Sequence, residues 1–375
     1  PILLLGSLII LVLGFKELGG WDEMMRVCGA VTVNDYGDTM TNLIRSNDDA
    51  NFPWLGALIG SAIIGFWYWC TDQFIVQRVL SGKNEMEARR GTIFGAYLKL
   101  LPVFLFLIPG MIAFALHQKY IGAGGEGFLP MLENGTANAD AAFPTLVAKL
   151  LPAGVKGLVV CGILAALMSS LASLFNSSAM LFTIDFYKRF RPQTSEKKLV
   201  GIGQVATVVI VILGILWIPI MRSVGDVLYT YLQDVQSVLA PGIAAAFLLG
   251  ICWKRTSAQG GMWGLISGMV IGLTRLGAKV YYSNAGEVAD STFKYLFYDM
   301  NWLFFCGWMF LFCIIVVIVV SLATEAPTAE KIQGLVFGTA TKEQKASTRA
   351  SWNHWDIIHT VIILAITGAF YWYFW

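Results

Sequence analysis

The apolar segment 162–178 carries hydroxyl groups along one side. At about 100° per residue of a helix, four of its residues fall within a stripe roughly 100° wide: Ala166, Ser169, Ser170 and Ser173. Small hard cations bind oxygen ligands, so this stripe predicts a sodium site inside a membrane helix. Two other interpretations stay open, because serines in membrane helices also hydrogen-bond carbonyl groups one turn back or allow close helix packing.

Three consecutive aromatic residues, Trp67, Tyr68 and Trp69, lie in the middle of another apolar segment. They cannot all face one way on a regular helix. The nearby glycines that would permit a break in the helix are Gly56, Gly60 and Gly65. Flat aromatic faces suit the C–H face of a sugar ring, and Tyr68 adds a hydroxyl group. Because aromatic belts lie at membrane interfaces, the position in mid-segment favours the wall of a cavity.

Polar side chains at membrane depth need a reason, since a charge there costs about 2.5–3.5 kcal/mol or more. Asp72 has Arg78 nearby in sequence, which is typical of a structural ion pair near the inner face. Lys99 either snorkels to the interface or donates to substrate hydroxyls. Gln233 both donates and accepts hydrogen bonds, which suits a polyol, but it serves equally well to join two helices.

The composition around these residues is that of an integral membrane protein. The 375 residues are 57% hydrophobic and 13% charged, whereas a soluble domain has about 25% charged residues. A net charge of +2, with no basic and aromatic patch, argues against nucleic acid. The six cysteines and three histidines are scattered, which argues against disulfides and zinc. Without a nucleophile–base pair, an enzyme and an organic cofactor are not expected.

Nine apolar segments are long enough to cross a bilayer as helices. They are roughly 2–18, 54–77, 93–116, 155–184, 199–221, 227–252, 259–281, 301–323 and 355–374. Only helices and closed β-barrels satisfy the hydrogen bonds of the backbone in lipid. Continuous apolar runs of this length exclude a barrel, whose short strands alternate apolar and polar residues. The sequence therefore predicts an all-α polytopic membrane protein with about nine transmembrane helices.

Basic residues indicate the orientation of these segments. Lysine and arginine concentrate near helix ends in the loops at 78–90, 188–198, 254–255 and 331–349. The positive-inside rule places these loops in the cytoplasm. Nine spans then place the C-terminal Trp375 outside, in a multi-pass protein of the plasma membrane.

Several strings of residues resemble the sodium/solute symporter family, specifically its sodium/glucose cotransporter branch. They lie at 67–73, 77–78, 95–100, 166–178, 231–233, 240–245 and 253–255. The resemblance covers most of the chain and implies a leucine-transporter-like inverted-repeat core, with substrate near the midplane beside broken helices. It maps residues 1–18 to the end of the first repeat, 54–252 to the second repeat and 259–375 to trailing helices. The first repeat is then mostly missing.

The start of the chain agrees with this mapping. Pro1 is not a start methionine, and the apolar run that follows has no signal-peptide layout. We therefore expect an N-terminally truncated fragment, a single piece of a transport domain.

The resemblance also implies a sodium site. The backbone carbonyl of Ala166 and the hydroxyls of Ser169 and Ser170 would bind the co-transported ion. The remaining ligands would come from the absent first core helix. Ser173 lines the same helix face nearby and is counted with the sugar contacts.

The aromatic cluster gains a role from the same resemblance. Tyr68 matches the aromatic residue that closes the sugar site on its cytoplasmic side, with Trp67 and Trp69 beside it. Gly65 departs from the pattern, since a galactose-transporting member of the branch has a sugar-contacting asparagine there. Glycine offers no side chain to a sugar, so the identity of the hexose is left open.

Other polar residues match contacts or gates of the branch. Lys99 and Gln233 match contacts to sugar hydroxyls, which favours a hydrophilic cavity over snorkelling for Lys99. Asp72, Gln73 and Arg78 match polar positions that we assign to the inner gate or to helix packing.

The function implied by the resemblance is sodium-coupled symport of a glucose-like or galactose-like hexose by alternating access. The alternatives are another polyol or small solute, such as inositol or an anion, and a sugar sensor that does not transport. An anion carrier should show an extra arginine at cavity depth, and the sequence indicates none. The expected partners are sodium, a small sugar and the lipid bilayer, without nucleic acid or an obligate protein partner.

Overall fold

The computed structural model describes residues 2–132, 135–224, 228–285 and 289–375. Within these ranges the chain is helical, with three isolated β-bridges and no strand. The α-helices in chain order are α1 (Ile2–Leu18), α2 (Trp21–Gly29), α3 (Trp54–Cys70), α4 (Gln73–Leu80), α5 (Glu85–Pro102), α6 (Ile108–Gly122), α7 (Ala142–Leu150), α8 (Ala153–Met180), α9 (Lys188–Phe190), α10 (Glu196–Val224), α11 (Leu228–Cys252), α12 (Ala258–Asn284), α13 (Thr292–Lys294), α14 (Trp302–Ala323), α15 (Ala329–Ile332), α16 (Lys342–Ala350) and α17 (His354–Tyr373). Three π-helical segments, Val103–Leu107, Leu181–Tyr187 and Tyr295–Asp299, adjoin α-helices without a break.

Six continuous helical stretches of the described chain are long and apolar enough to cross a membrane. They are Glu85–Gly122, Ala153–Phe190, Glu196–Pro219, Leu228–Cys252, Trp302–Ala323 and His354–Tyr373. Two bent pairs, α1 with α2 at 74° and α3 with α4 at 49°, raise the number to eight if each pair is one span. The prediction of an all-α polytopic membrane protein is therefore confirmed, while the inverted-repeat core stays a prediction.

The seventh predicted span, 259–281, folds as α12 but is not among the stretches that are long and apolar enough to cross a membrane. Its sequence explains this, because α12 is rich in glycine and also carries Arg275 and Lys279. The count of nine spans thus stays a prediction. The predicted span 227–252 corresponds to α11, and its first residue lies outside the described residues.

The described chain divides into two compact units. The first comprises Pro1–Ile44, Thr92–Ile212 and Ile358–Trp375, and its core lies among α1, α2, α6 and α7. Gly14 permits a close approach there, since a Cβ at this position would lie 2.9 Å from the Ile112 side chain. By contrast, most of α8 and of the first half of α10 is exposed.

The second unit comprises Arg45–Gly91 and Leu213–Ile357, and in it α3, α11, α12 and α14 pack together. Glycine recurs at every fourth position of α12, at Gly260, Gly264, Gly268 and Gly272, and all four are buried. A Cβ on Gly272 would lie 2.4 Å from the Val238 carbonyl oxygen. This stripe of small residues lets the backbones of α11, α12 and α14 approach closely, which is how helices associate in a membrane.

Candidate functional site

The predicted sodium residues lie on one continuous helix. Ala166, Ser169 and Ser170 are in the middle of α8, where all three are exposed, and Ser173 is half-buried one turn further on. The helix that the stripe requires is therefore present. Among the described residues no group of three His, Cys, Asp or Glu side chains is placed to hold a metal ion. Neutral hydroxyl and carbonyl oxygens are thus the ligands that α8 offers.

Serine hydroxyls on α8 are of two kinds. The Ser177 hydroxyl donates to the Ser173 carbonyl oxygen at 3.0 Å, the back-bonded arrangement that serine adopts in membrane helices. Within the described part of the chain, the Ser169 and Ser170 hydroxyls make no such bond. Their lone pairs face outward from the helix and are available to a ligand, as a sodium site requires.

The three consecutive aromatics occupy the last turn of α3. The ring centroids of Trp67 and Tyr68 are 6.3 Å apart, and those of Tyr68 and Trp69 are 5.3 Å apart in an edge-to-face arrangement. Trp67 and Tyr68 are half-buried, while Trp69 is 45% exposed. The cluster therefore presents rings in more than one direction, as expected for adjacent residues of a regular helix.

The break in this region lies after the aromatics rather than at the glycines. Helix α3 runs through Gly56, Gly60 and Gly65 and ends at Cys70, so the break that these glycines would permit does not occur at them. The first two glycines instead pack against Leu303, where a Cβ would come within 3.0 and 2.9 Å of that residue. Gly65 has nothing within 4 Å of a built Cβ, so it leaves open space near the aromatics.

Asp72 begins the next helix. Its carboxylate accepts a hydrogen bond from the Phe74 backbone N–H at 3.0 Å and so caps α4. Helix α4 starts at Gln73, and the Arg78 guanidinium lies 4.6 Å from the centre of the Phe74 ring. Capping and the 49° bend give these polar residues a structural role at the junction of α3 and α4.

Gln233 lies half-buried on α11, where its side-chain amide donates to the Tyr229 hydroxyl at 3.1 Å. Lys99 is exposed on α5. The predicted sugar contacts thus divide between the two units, with Lys99 and Ser173 in the first and the aromatics and Gln233 in the second.

A charged cluster that the sequence did not reveal adjoins Gln233. The Asp234 carboxylate accepts from the Lys279 ammonium at 2.5 Å and from the Arg275 guanidinium at 3.4 Å. Arg275 also donates to the Leu296 and Met300 carbonyl oxygens, at 3.3 and 2.8 Å.

Arg275 is the most fully enclosed charge of this cluster. Its side chain is 0% exposed and lies 4.1 Å from the centre of the Phe305 ring. Arg275 is therefore a buried arginine within the predicted span 259–281. This arginine is compensated by a carboxylate, two carbonyls and a ring face, so it holds helices together rather than awaiting an anion.

Comparison with known proteins decides the family. Residues 1–268 match the sequence model of the sodium:solute symporter family. The chain belongs to this family. A sodium/mannose cotransporter of Bos taurus is 34% identical over the whole of this chain and 66% of its own length. The predicted family is confirmed, and it is a family of symporters rather than of enzymes.

Two further relatives have other substrates in their names. Sodium/myo-inositol cotransporter 2 of Homo sapiens is 35% identical over 90% of this chain and 52% of its own length. Sodium/glucose cotransporter 1 of Ovis aries is 37% identical over 86% of this chain and 51% of its own length. The symporter-family chain therefore spans between half and two-thirds of the length of these relatives.

The sequence does contain a signal for the charged cluster around Asp234, which was not predicted. Arg275 and Lys279 are four residues apart, so they lie on one face of a helix, and Asp234 is an unexplained charge in a span. Two cations on a helix face and a lone carboxylate at depth predict a pair because an uncompensated charge in lipid is so costly.

Proposed function

We propose that the protein is a sodium-coupled symporter of a small sugar or polyol. Membership of the sodium:solute symporter family and similarity to mannose, myo-inositol and glucose cotransporters support this function. The observation that carries the ion half of the proposal is the pair of outward-facing hydroxyls, Ser169 and Ser170, which are not bonded to their own helix. Sodium is the co-transported ion, and no organic cofactor is part of the proposal.

The sodium ion is held by the Ala166 carbonyl oxygen and by the Ser169 and Ser170 hydroxyls. In a regular helix the Ala166 carbonyl already accepts one N–H, so its second lone pair serves the ion. Three neutral oxygens on one helix leave the coordination of sodium incomplete. The ion therefore binds at a junction between α8 and another element, and so couples their movement.

The sugar contacts the aromatic end of α3 and the amide of Gln233. Ring faces of Trp67, Tyr68 and Trp69 suit the apolar faces of a pyranose or an inositol ring. The Gln233 amide donates and accepts hydrogen bonds as sugar hydroxyls do. Gly65 leaves room for a bulkier substrate, while Lys99 and Ser173, which belong to the first unit, stay predictions from the family resemblance.

Asp72, Gln73 and Arg78 form a structural and gating junction beside the sugar residues. Capping of α4 by Asp72 fixes the point at which the helix direction changes. Alternating access in a leucine-transporter-like core then exposes the sugar and ion to one side at a time. We assign residues 1–18 to the end of the first repeat, 54–252 to the second and 259–375 to trailing helices.

The orientation follows the basic loops, which lie in the cytoplasm, with Trp375 outside the plasma membrane. Entry of one sodium ion at an inside-negative potential of about 100 mV then supplies about 2.3 kcal/mol. This energy supports roughly fiftyfold accumulation of sugar before any sodium gradient is added.

A sugar panel in liposomes tests the function. The full-length protein is reconstituted, and uptake of labelled glucose, galactose, mannose and myo-inositol is measured with an inward sodium gradient and with potassium in its place. Uptake of at least one of them is expected to require sodium. Binding of a sugar without uptake would instead indicate a sensor, and uptake that ignores sodium would remove the coupling.

The second candidate substrate is a polyol. The relative named for myo-inositol is as similar to this chain as those named for hexoses, and Gly65 lacks the side chain of a galactose contact. Competition decides between the two, because the preferred substrate should inhibit uptake of the others at the lowest concentration.

A further inference from the structure

A groove of about 340 Å³ lies between the end of α8, the π-helical segment Leu181–Tyr187 and the start of α10. Its apolar wall includes Met180, Ile184 and Val200. Asn176, Thr183 and Gln204 add uncharged polar groups. All of these residues belong to the first unit, and none of them is a proposed ligand of sodium or sugar.

The Thr183 hydroxyl is a polar group of this groove whose hydrogen bonding is unexplained. Thr183 is 5% exposed, and its hydroxyl oxygen has no hydrogen-bond partner among the described residues. Thr207, on the opposite wall, shows the ordinary alternative by donating to the Gly203 carbonyl oxygen at 3.0 Å. A Cβ on Gly203 would lie 3.5 Å from the Thr183 hydroxyl, so glycine keeps that approach open. A buried hydroxyl left unpaired costs about 1–3 kcal/mol and so indicates a ligand.

A strongly basic turn follows the groove. The segment 185–198 contains five basic residues, all exposed: Lys188, Arg189, Arg191, Lys197 and Lys198. It contains two acidic residues, Asp185 and Glu196. None of the five cations is in a salt bridge with another described residue. The end of the groove therefore carries an excess of positive charge without internal compensation.

A row of exposed phenylalanines indicates the level of this region relative to the lipid bilayer. The ring centroids of Phe182 and Phe186 are 5.6 Å apart, and those of Phe186 and Phe190 are 5.1 Å apart. The row runs along the π-helical segment Leu181–Tyr187 and into α9, at the start of the basic turn. Aromatic rings beside cationic residues are typical of the boundary between the hydrocarbon and the headgroups. The groove thus opens where lipid headgroups lie.

We propose that the groove binds one anionic phospholipid, an assignment that uses the proposed orientation but none of the proposed sodium or sugar ligands. The phosphate lies against the basic turn, and ester or glycerol oxygens of the lipid accept from Thr183 and Gln204. The acyl chains follow Met180, Ile184 and Val200. A free sugar fits this groove poorly because most of its wall is apolar. A zwitterionic lipid gains less, because its own cation opposes the basic turn.

Lipid retention by the full-length protein tests this site. The protein is exchanged into bilayer discs of phosphatidylcholine with or without phosphatidylglycerol, then extracted, and its retained lipids are counted by native mass spectrometry. The wild type is expected to retain one phosphatidylglycerol. The double variant Lys197→Gln with Lys198→Gln should weaken retention roughly 25-fold, from about fivefold per cation. Its matched control is Lys342→Gln with Lys345→Gln, at the exposed start of α16, which should retain the lipid.

The variant Thr183→Val distinguishes lipid binding in the groove from lipid binding to a diffuse charged surface. This variant keeps the charge and shape, and should weaken retention about fivefold by removing one hydrogen bond. Thr274→Val is its control, because the Thr274 hydroxyl is exposed on α12 and bonded to the Val270 carbonyl oxygen.

Three outcomes would overturn the assignment. An unchanged Thr183→Val variant would place the lipid on the turn alone. Equal retention of phosphatidylcholine would remove the charge requirement. Displacement of the lipid by soluble glycerol phosphate at comparable concentration would make the site one for free phosphate.

Discussion

Helix α8 and the α11–α12 pair hold their polar groups in opposite ways. On α8 the Ser169 and Ser170 hydroxyls are neutral, exposed and not bonded to their own helix. Between α11 and α12 the groups are full charges, buried and paired through Asp234. Neutral groups can stay available to a ligand at modest cost, whereas charges persist in lipid only when compensated. The first pattern indicates binding, and the second indicates structure.

The largest effect on stability is expected from a substitution that breaks the ion pairs between α11 and α12. Asp234→Asn leaves Arg275 and Lys279 without a carboxylate, and removing one partner of a buried pair costs about 3–5 kcal/mol. We expect a marked fall in the detergent unfolding temperature, measured by fluorescence size-exclusion after heating. The matched control is Asp290→Asn, which breaks an exposed pair with Lys294 and should change little. Equal melting of the two variants would contradict the structural role.

Substitutions of two serines on α8 test whether its unbonded hydroxyls bind sodium. Ser170→Ala should raise the sodium concentration for half-maximal uptake by roughly 10- to 100-fold, because a bond to a charged group contributes about 1.5–3 kcal/mol. Ser177→Ala removes a hydroxyl that is bonded to its own helix and should leave sodium dependence unchanged. The measurement is a sodium titration of sugar uptake. A similar shift in both variants would show that the α8 serines act on packing.

A third prediction concerns the close packing that brings the charges together. Gly272→Ala places a methyl group against the Val238 carbonyl, and overpacking of this kind costs about 1–3 kcal/mol. Gly277→Ala, on the same helix, meets nothing within 4 Å and is the control. Thermal unfolding of the two variants should separate them. If Gly272→Ala and Gly277→Ala unfold at the same temperature, the helices tolerate a wider spacing than the structure shows.

The smallest expected effect concerns the sugar. Gln233→Ala should raise the sugar KM roughly 2- to 12-fold, since one neutral hydrogen bond contributes about 0.5–1.5 kcal/mol. Tyr229→Phe keeps the amide but removes the hydroxyl that holds it, so its effect should be smaller. Uptake as a function of sugar concentration gives both values. A larger effect for Tyr229→Phe would make the tyrosine the contact and Gln233 its support.

The outcome at each predicted site depended on how local its signal was. The α8 stripe required only a helix of regular period, and α8 provides it. The glycines near the aromatics would permit a break, but in the structure Gly56 and Gly60 pack against Leu303, and the chain changes direction at Asp72, a helix cap. A glycine is equally suited to bending and to close packing, and the sequence alone does not distinguish the two.

The sequence by itself determined the membrane class, the helical spans and the family, because hydropathy, period and matching strings are properties of residues near one another along the chain. Only the tertiary structure decided which polar groups are compensated. Asp234 meets residues 41 and 45 positions away, and such pairing depends on how helices pack. The Thr183 hydroxyl was likewise one more polar group in a span until the surrounding helices left it buried without a partner.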